Sequence, residues 1–428
     1  MGLLALLFGS FLVLILLRVP VSFALGLASL LTAFAGKISP TMVIQQTYRG
    51  LDSFPLLAVP FFLLVGQLMN DNGVTDRLIK FSNALVGHIK GGLGHVNIVV
   101  SMIFAGLSGS SQADTAGIGS VLIPAMIREG YDRPFSVAVT AASSTMGVII
   151  PPSIMMIIYG AMGGVSIGAL FLAGAIPGVL IGLGQMALTY YFAIKRGYPA
   201  GKRATLKQFG GAFREAALPL AIPVILIGGI TSGVFTPTEA SMITAVYSLA
   251  LGFLYRSVNL KQLPKVFKET VLLYSLTLIC VGTATSFGWL MAYLKAPELI
   301  LDLVAPVASN PTIILLIVMA LFLIVGCLID AVPAIIIFLP LLNKLGAAAG
   351  INPIHMGIVV VMTLSLGLVT PPYGVCLLLA SRIGGMTVRD SFVAILPFVW
   401  LFMVTIVLII LVPQISLFLP SLFMPQAV

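Results

Sequence analysis

An apolar run of membrane length, broken first by a glycine and then by a proline pair, occurs twice in this chain. The first copy reads STMGVIIPPS over residues 144–153 and the second LSLGLVTPPYG over residues 364–374. A shift of 220 residues places Gly147 on Gly367, Pro151 on Pro371 and Pro152 on Pro372; it also matches Gly130 with Gly350 and Gly164 with Gly384. Proline has no amide donor and pushes the residue before it out of helical geometry. Each copy is therefore predicted to be two half-helices joined by unwound backbone. Inside a bilayer such backbone persists only where it is packed in protein or lines a cavity. Two broken spans at corresponding places in two halves point to the binding site of a transporter.

Composition supports the membrane reading. Residues are 59% hydrophobic and 8% charged, with a mean hydropathy of +1.15, which excludes a soluble globular domain. The apolar segments are too long, and alternate too weakly, for an outer-membrane barrel. The fold class expected is an all-α polytopic membrane protein. The net charge of +9 requires no nucleic acid, because the basic residues gather in a few loops as orientation signals do. Cys280, Cys327 and Cys376 sit in or beside apolar runs and read as packing residues. His88, His95 and His355 lack metal-ligand spacing. No cleavable signal is evident at the start.

In chain order, residues 1–194 form a first repeat. Apolar segments at 3–17, 19–35 and 51–69 precede a polar stretch carrying Arg77, Lys80 and Lys90. Residues 94–127 then run apolar, polar (SGSSQADTAG, 108–117) and apolar again, each piece too short to cross. They predict a re-entrant helical hairpin with a polar tip. The first broken helix covers 134–164, and 167–194 closes the half. Residues 195–214, with six basic residues, are the linker. The second repeat, 215–428, follows the same plan, with a hairpin over 311–345 and a broken helix over 354–381. In it Asp330 and Pro340 fall on Asp114 and Pro124 at a shift of 216. If the repeats are inverted and the linker is cytoplasmic, 18 of the 22 basic residues lie inside; Lys37, Arg49, Lys295 and Lys344 lie outside. That asymmetry supports inversion through the positive-inside rule.

Asp114 and Asp330 are placed deepest in the membrane, one at each hairpin tip. An intramembrane carboxylate is costly and marks a functional site; alternatively, each accepts backbone amides and stiffens its hairpin. The Ser108, Ser110, Ser111 and Thr115 cluster holds more polar groups than helix caps need. Na⁺ takes oxygen ligands, which unwound carbonyls and hydroxyls provide without net charge. One candidate Na⁺ site combines Ser108 and Ser110 with backbone at Gly147, Ile150 and Pro152; a second combines Gly326, Gly367, Thr370 and Tyr373. Helix N-termini at the tips, with Ser111, Asp114 and Asp330, suit a carboxylate substrate. The bland reading of the glycine and proline breaks is helix kinking alone.

Five motifs carry a family resemblance: FAGLSGSSQADTAGIGSVLIPAM (104–126), GYDRPFSVAVTAASSTMGVIIPPS (130–153), GVFTPTEAS (233–241), GCLIDAVPAIIIFLPLL (326–342) and LGLVTPPYGVCLLLAS (366–381). Over essentially its whole length the chain resembles the large membrane subunit of tripartite ATP-independent periplasmic (TRAP) transporters. The resemblance implies an elevator-type secondary transporter of the ion-transporter superfamily, with a scaffold and a mobile domain holding both hairpins. It also implies Na⁺ as coupling ion with no organic cofactor, a small membrane (Q) subunit and a periplasmic substrate-binding protein. Because the chain begins at the large-subunit region, the Q subunit is expected on a separate polypeptide. The expected setting is the bacterial inner membrane. The expected cargo is an organic acid, of the sialic acid or C4-dicarboxylate class, with a lean to sialic acid that no residue decides. Proton coupling is the rival within this class. A channel fits the paired hairpins less well, and an intramembrane aspartyl protease using Asp114 and Asp330 lacks its usual sequence setting.

Overall fold

A computed structural model describes residues 2–71, 73–256, 260–261 and 263–428. The described residues form twenty α-helices joined by short turns, with no strand beyond one isolated bridge. The first half contains α1 (Gly2–Leu16), α2 (Val21–Ala35), α3 (Pro40–Leu51), α4 (Ala58–Asp71), α5 (Val74–Val86), α6 (Gly92–Ser108), α7 (Ser111–Arg128), α8 (Arg133–Ser144), α9 (Ile154–Gly163) and α10 (Ile167–Arg196). The second contains α11 (Leu206–Thr231), α12 (Pro237–Leu254), α13 (Leu263–Tyr293), α14 (Ala296–Val304), α15 (Pro311–Leu328), α16 (Ala331–Ala349), α17 (Pro353–Gly367), α18 (Val375–Gly384), α19 (Val388–Leu411) and α20 (Gln414–Phe423). Among the described residues six helices are long and apolar enough to cross a membrane singly, and α3 with α4 makes a bent pair with a 57° break.

Helix pairs occupy the two segments expected as hairpins, α6–α7 and α15–α16, with α15 and α16 each among the six helices long enough to cross, and the two segments expected to break do so, as α8–α9 and α17–α18. Side chains that accept from the first-turn amides start many of these helices. Asp132 accepts the Phe135 amide at 2.7 Å, Ser153 the Met156 amide at 3.3 Å and Asn352 the Ile354 amide at 2.9 Å. Packing repeats between halves with the partners exchanged. α7 lies on α18 as α16 lies on α9; α19 lies on α8 as α10 lies on α17; α12 lies on α4 as α13 lies on α2.

Three polar stretches expected as links are helical. Residues 40–51 form α3, residues 74–86 form α5, and the linker is already helical from Leu206, where Thr205 and Gln208 make a reciprocal cap. α3 and α5 are amphipathic helices lying against their neighbours, α3 on α13 and α5 on α11, so tertiary packing and not hydropathy holds them.

Loops expected on one membrane face do meet. Lys80 pairs with Glu215 at 3.5 Å, and the Arg77 guanidinium lies 3.7 Å above the Tyr255 ring. Arg196 pairs with Asp132 at 2.7 Å, and Tyr198 also donates to Asp132. The linker clips onto the hairpin base through Gly91 N–H to Pro199 O (3.1 Å) and Gly201 N–H to Gly87 O (2.9 Å). At the other end, Tyr159 donates to Pro353 O at 3.3 Å, Asn352 to Val428 O at 3.1 Å, and Lys344 pairs with Glu298. α10, with 30 residues and thus about 45 Å long, separates the two groups.

Candidate functional site

The hairpin tips and the two breaks converge around one cavity. The first tip is tighter than its polar sequence suggests. Only Gly109 and Ser110 lie outside the helices, Gly109 in the left-handed region at φ 63°, and Ser110 caps α7 through the Ala113 amide (3.4 Å). Asp114 therefore sits in the first turn of α7 and not in a loop. It is fully buried. Ser108 donates to its Oδ1, while Oδ2 has no hydrogen-bond partner, and the buried Ser111 hydroxyl has none either. Ser108 Oγ also accepts the Ser110 amide at 3.2 Å.

Gly147 faces this corner directly. A Cβ there would collide with Asp114 Oδ2 and come within 2.9 Å of Ser111 N. The glycine thus lets the backbone of the first break approach the tip of the first hairpin. Past it, a 3-10 turn (Thr145–Val148) leads into unwound chain through the cis Pro151–Pro152 bond. The Ile150 amide returns to Met146 O at 2.9 Å, and the Pro152 carbonyl lies against Gly109. Ser108, Ser110, Gly147 and Pro152 of the first candidate Na⁺ site are brought to one corner, and Ile150 follows in the unwound chain between them. The unpaired carboxylate oxygen of Asp114 at its edge fits a cation there, since a lone buried oxygen is costly.

The second tip repeats the plan with different side chains. Asp330 is itself the cap of α16, accepting the Ala331 amide at 2.7 Å. Gly367 is pressed against the Gly326 carbonyl, where a Cβ would have no room. The Tyr373 amide donates to Cys327 O at 3.0 Å, and the Thr370 hydroxyl to Leu366 O at 2.7 Å, leaving its lone pairs free. The second break contains the cis Pro371–Pro372 bond. Gly326, Gly367, Thr370 and Tyr373 are therefore also one cluster. Cys376, at the start of α18, is buried where α18 packs on α7 and so joins the two halves.

A cavity of about 280 Å³ opens between the tips. Ser108, Ser110, Ser111 and Asp330 line it, and the buried Asp114 is joined to that wall through Ser108. Gln67 of α4 and Thr277 of α13 line it too, and sequence reasoning missed both. Gln67 carried a faint signal, as an amide inside the apolar run of α4. Thr277 carried none. Among the lining residues there is no lysine, arginine or histidine. Any anion held here meets helix-end amides and hydroxyls, or a cation bound beside them.

Residues 8–415 match the family model described as the tripartite ATP-independent periplasmic transporter, DctM component. The chain belongs to the TRAP transporter large permease family. It is 40% identical over 381 residues to the sialic acid TRAP transporter large permease protein SiaM of Vibrio cholerae, covering 89% of each chain. To the C4-dicarboxylate TRAP transporter large permease protein DctM of Pseudomonas aeruginosa it is 37% identical, over 93% of this chain and 94% of the relative. In fold it is similar to MtrF of Neisseria gonorrhoeae, with a TM-score of 0.58 and 13% identity, covering 86% of this chain and 83% of that one. The chain is thus a transporter permease subunit and not an enzyme, and the aspartyl protease reading falls away.

Proposed function

We propose that this chain drives Na⁺-coupled uptake of an organic acid across the bacterial inner membrane, accepting its cargo from a periplasmic binding protein. The observation that carries this reading is the pairing of two glycine approaches, Gly147 on Asp114 and Gly367 on the Gly326 carbonyl, at the edges of one cavity. Each approach gathers carbonyl and hydroxyl oxygens where unwound backbone can hold Na⁺. One ion sits with Ser108, Ser110, Gly147, Ile150 and Pro152, and the other with Gly326, Gly367, Thr370 and Tyr373. The substrate carboxylate lies between them, near Ser111, with Asp114 and Asp330 shaping the tips. Bound Na⁺ then offsets the absence of basic side chains around an anion, which couples ion and substrate binding.

The exchanged packing of the two halves supports an inverted repeat, residues 1–194 and 215–428, about an axis in the membrane plane. The hairpins and broken helices form the moving part, and α1–α4 with α11–α13 the scaffold, so that the cavity is carried across as an elevator. The linker faces the cytoplasm. The cargo belongs to the sialic acid or C4-dicarboxylate class that the two relatives' names carry. A small membrane subunit and a periplasmic binding protein complete the assembly, as the word tripartite in the family's name supports. The test is omission. Proteoliposomes holding this chain, the small subunit and the binding protein are expected to accumulate radiolabelled substrate. Those lacking either partner are expected to take up almost none. Robust uptake by this chain alone contradicts the tripartite reading.

A further inference from the structure

Away from the transport site, a groove of about 440 Å³ runs between the end of α5 and the start of α11. Its walls combine His88 and Arg203 with Leu85, Leu206 and Phe209. Two features meet here. Leu206 is 91% exposed, the most of any large apolar side chain among the described residues, and Leu85 beside it is 43% exposed. Residues 195–214 hold six basic residues and no acidic one. Among the described residues, Lys202, Arg203 and Lys207 make no ion pair; the acidic residue that follows, Glu215, is taken by Lys80.

Depth explains how the two features fit together. α11 is a spanning helix that ends at Thr231, and a hydrocarbon core uses about 20 residues of helix. Counted back from Thr231, the core ends close to Ala212, so Leu206 and Phe209 fall in the headgroup layer with Arg203 beyond them. The ring contacts of Phe81 with Phe209 and Phe213 hold the groove's floor in place. Water alone would leave Leu206 exposed at a cost, and lipid tails alone would not answer the unpaired cations.

The geometry points to a bound anionic phospholipid, its phosphate on Arg203 and His88 and the upper part of an acyl chain along Leu85, Leu206 and Phe209. Basic residues at this depth attract anionic headgroups, and a leucine beside them adds apolar burial. The site lies on the strip where the linker is clipped to the base of the first hairpin, Gly201 N–H to Gly87 O. A lipid there fastens the linker to the element that carries the transport site.

The test uses the full chain, together with the small membrane subunit proposed above, stripped of endogenous lipid in detergent. Phosphatidylglycerol, phosphatidylcholine and inorganic phosphate are titrated separately, read by native mass spectrometry and by melting temperature. The expected result is saturable binding of phosphatidylglycerol that raises the melting temperature and weakens with salt. H88A/R203Q is expected to weaken that binding tenfold or more. L206Q should weaken it less, and K37Q/R49Q, at the opposite end, not at all. All of these positions are exposed, so folding is preserved. Equal binding of phosphatidylcholine, unchanged affinity in H88A/R203Q, or displacement of the lipid by inorganic phosphate at equal concentration overturns the proposal.

Discussion

Ser108, at the end of α6, and Thr370, in the second break, each bring a hydroxyl to a proposed ion site, yet their surroundings differ, and so do the effects expected of losing them. The Thr370 hydroxyl donates only to Leu366 O, at 2.7 Å and one helical turn back. Thr370→Val therefore removes one oxygen ligand and leaves the packing almost unchanged. A lost buried polar contact costs about 1–3 kcal/mol, roughly one to two decades in an equilibrium constant. Half-maximal Na⁺ for uptake is expected to rise by that factor while detergent stability without Na⁺ stays near wild type. Ser108→Ala does more, because Ser108 is the partner of Asp114 Oδ1 and Oδ2 already has none. Its rise in half-maximal Na⁺ should equal or exceed that of Thr370→Val, with some loss of stability besides. Na⁺ titrations of substrate uptake check both. Wild-type Na⁺ dependence in the pair would show that these hydroxyls are not ligands.

The hairpins and breaks work as elements because glycine lets backbone touch backbone. Gly147→Ala and Gly367→Ala each force a methyl group into a place already filled, by the Asp114 carboxylate and by the Gly326 carbonyl. Overpacking of this kind costs about 1–3 kcal/mol. Both variants are expected to melt earlier and to lose most transport. Gly228→Ala, in α11 with open space around it, should match wild type in both assays. These elements were legible in the sequence, because a glycine followed by a proline pair inside an apolar run has few structural meanings. The tip of the first hairpin was harder to read. Its polar residues extend to Gly117 and suggest a loop, but Ser110 caps the helix early and turns Ser111, Asp114 and Thr115 onto its buried face. Helices α3 and α5 were illegible for a related reason, since their mixed polarity resembles a link until a neighbouring helix is present. Gln67 and Thr277 reach the cavity by tertiary adjacency alone, which no local pattern records.

At the scale of the molecule, the sequence asymmetry of basic residues becomes a set of contacts. Lys80 with Glu215, Arg77 with Tyr255 and Arg196 with Asp132 gather at one end. The proposed topology puts that end in the cytoplasm. On a cysteine-free background, single cysteines between residues 197 and 205 should label only from the cytoplasmic side, and those between 305 and 310 only from outside. Labelling of the linker from outside would reverse the topology. The central claim is that movement of the cavity is tied to Na⁺ held at both tips. It is tested most directly by uptake into proteoliposomes containing the complete assembly, with the driving ion exchanged. The account predicts concentrative uptake under an inward Na⁺ gradient, and none when Na⁺ is replaced by K⁺ or choline, even with an inward proton gradient imposed. Uptake driven equally well by the proton gradient in the absence of Na⁺ would contradict it, and would assign the unpaired oxygen of Asp114 to a proton.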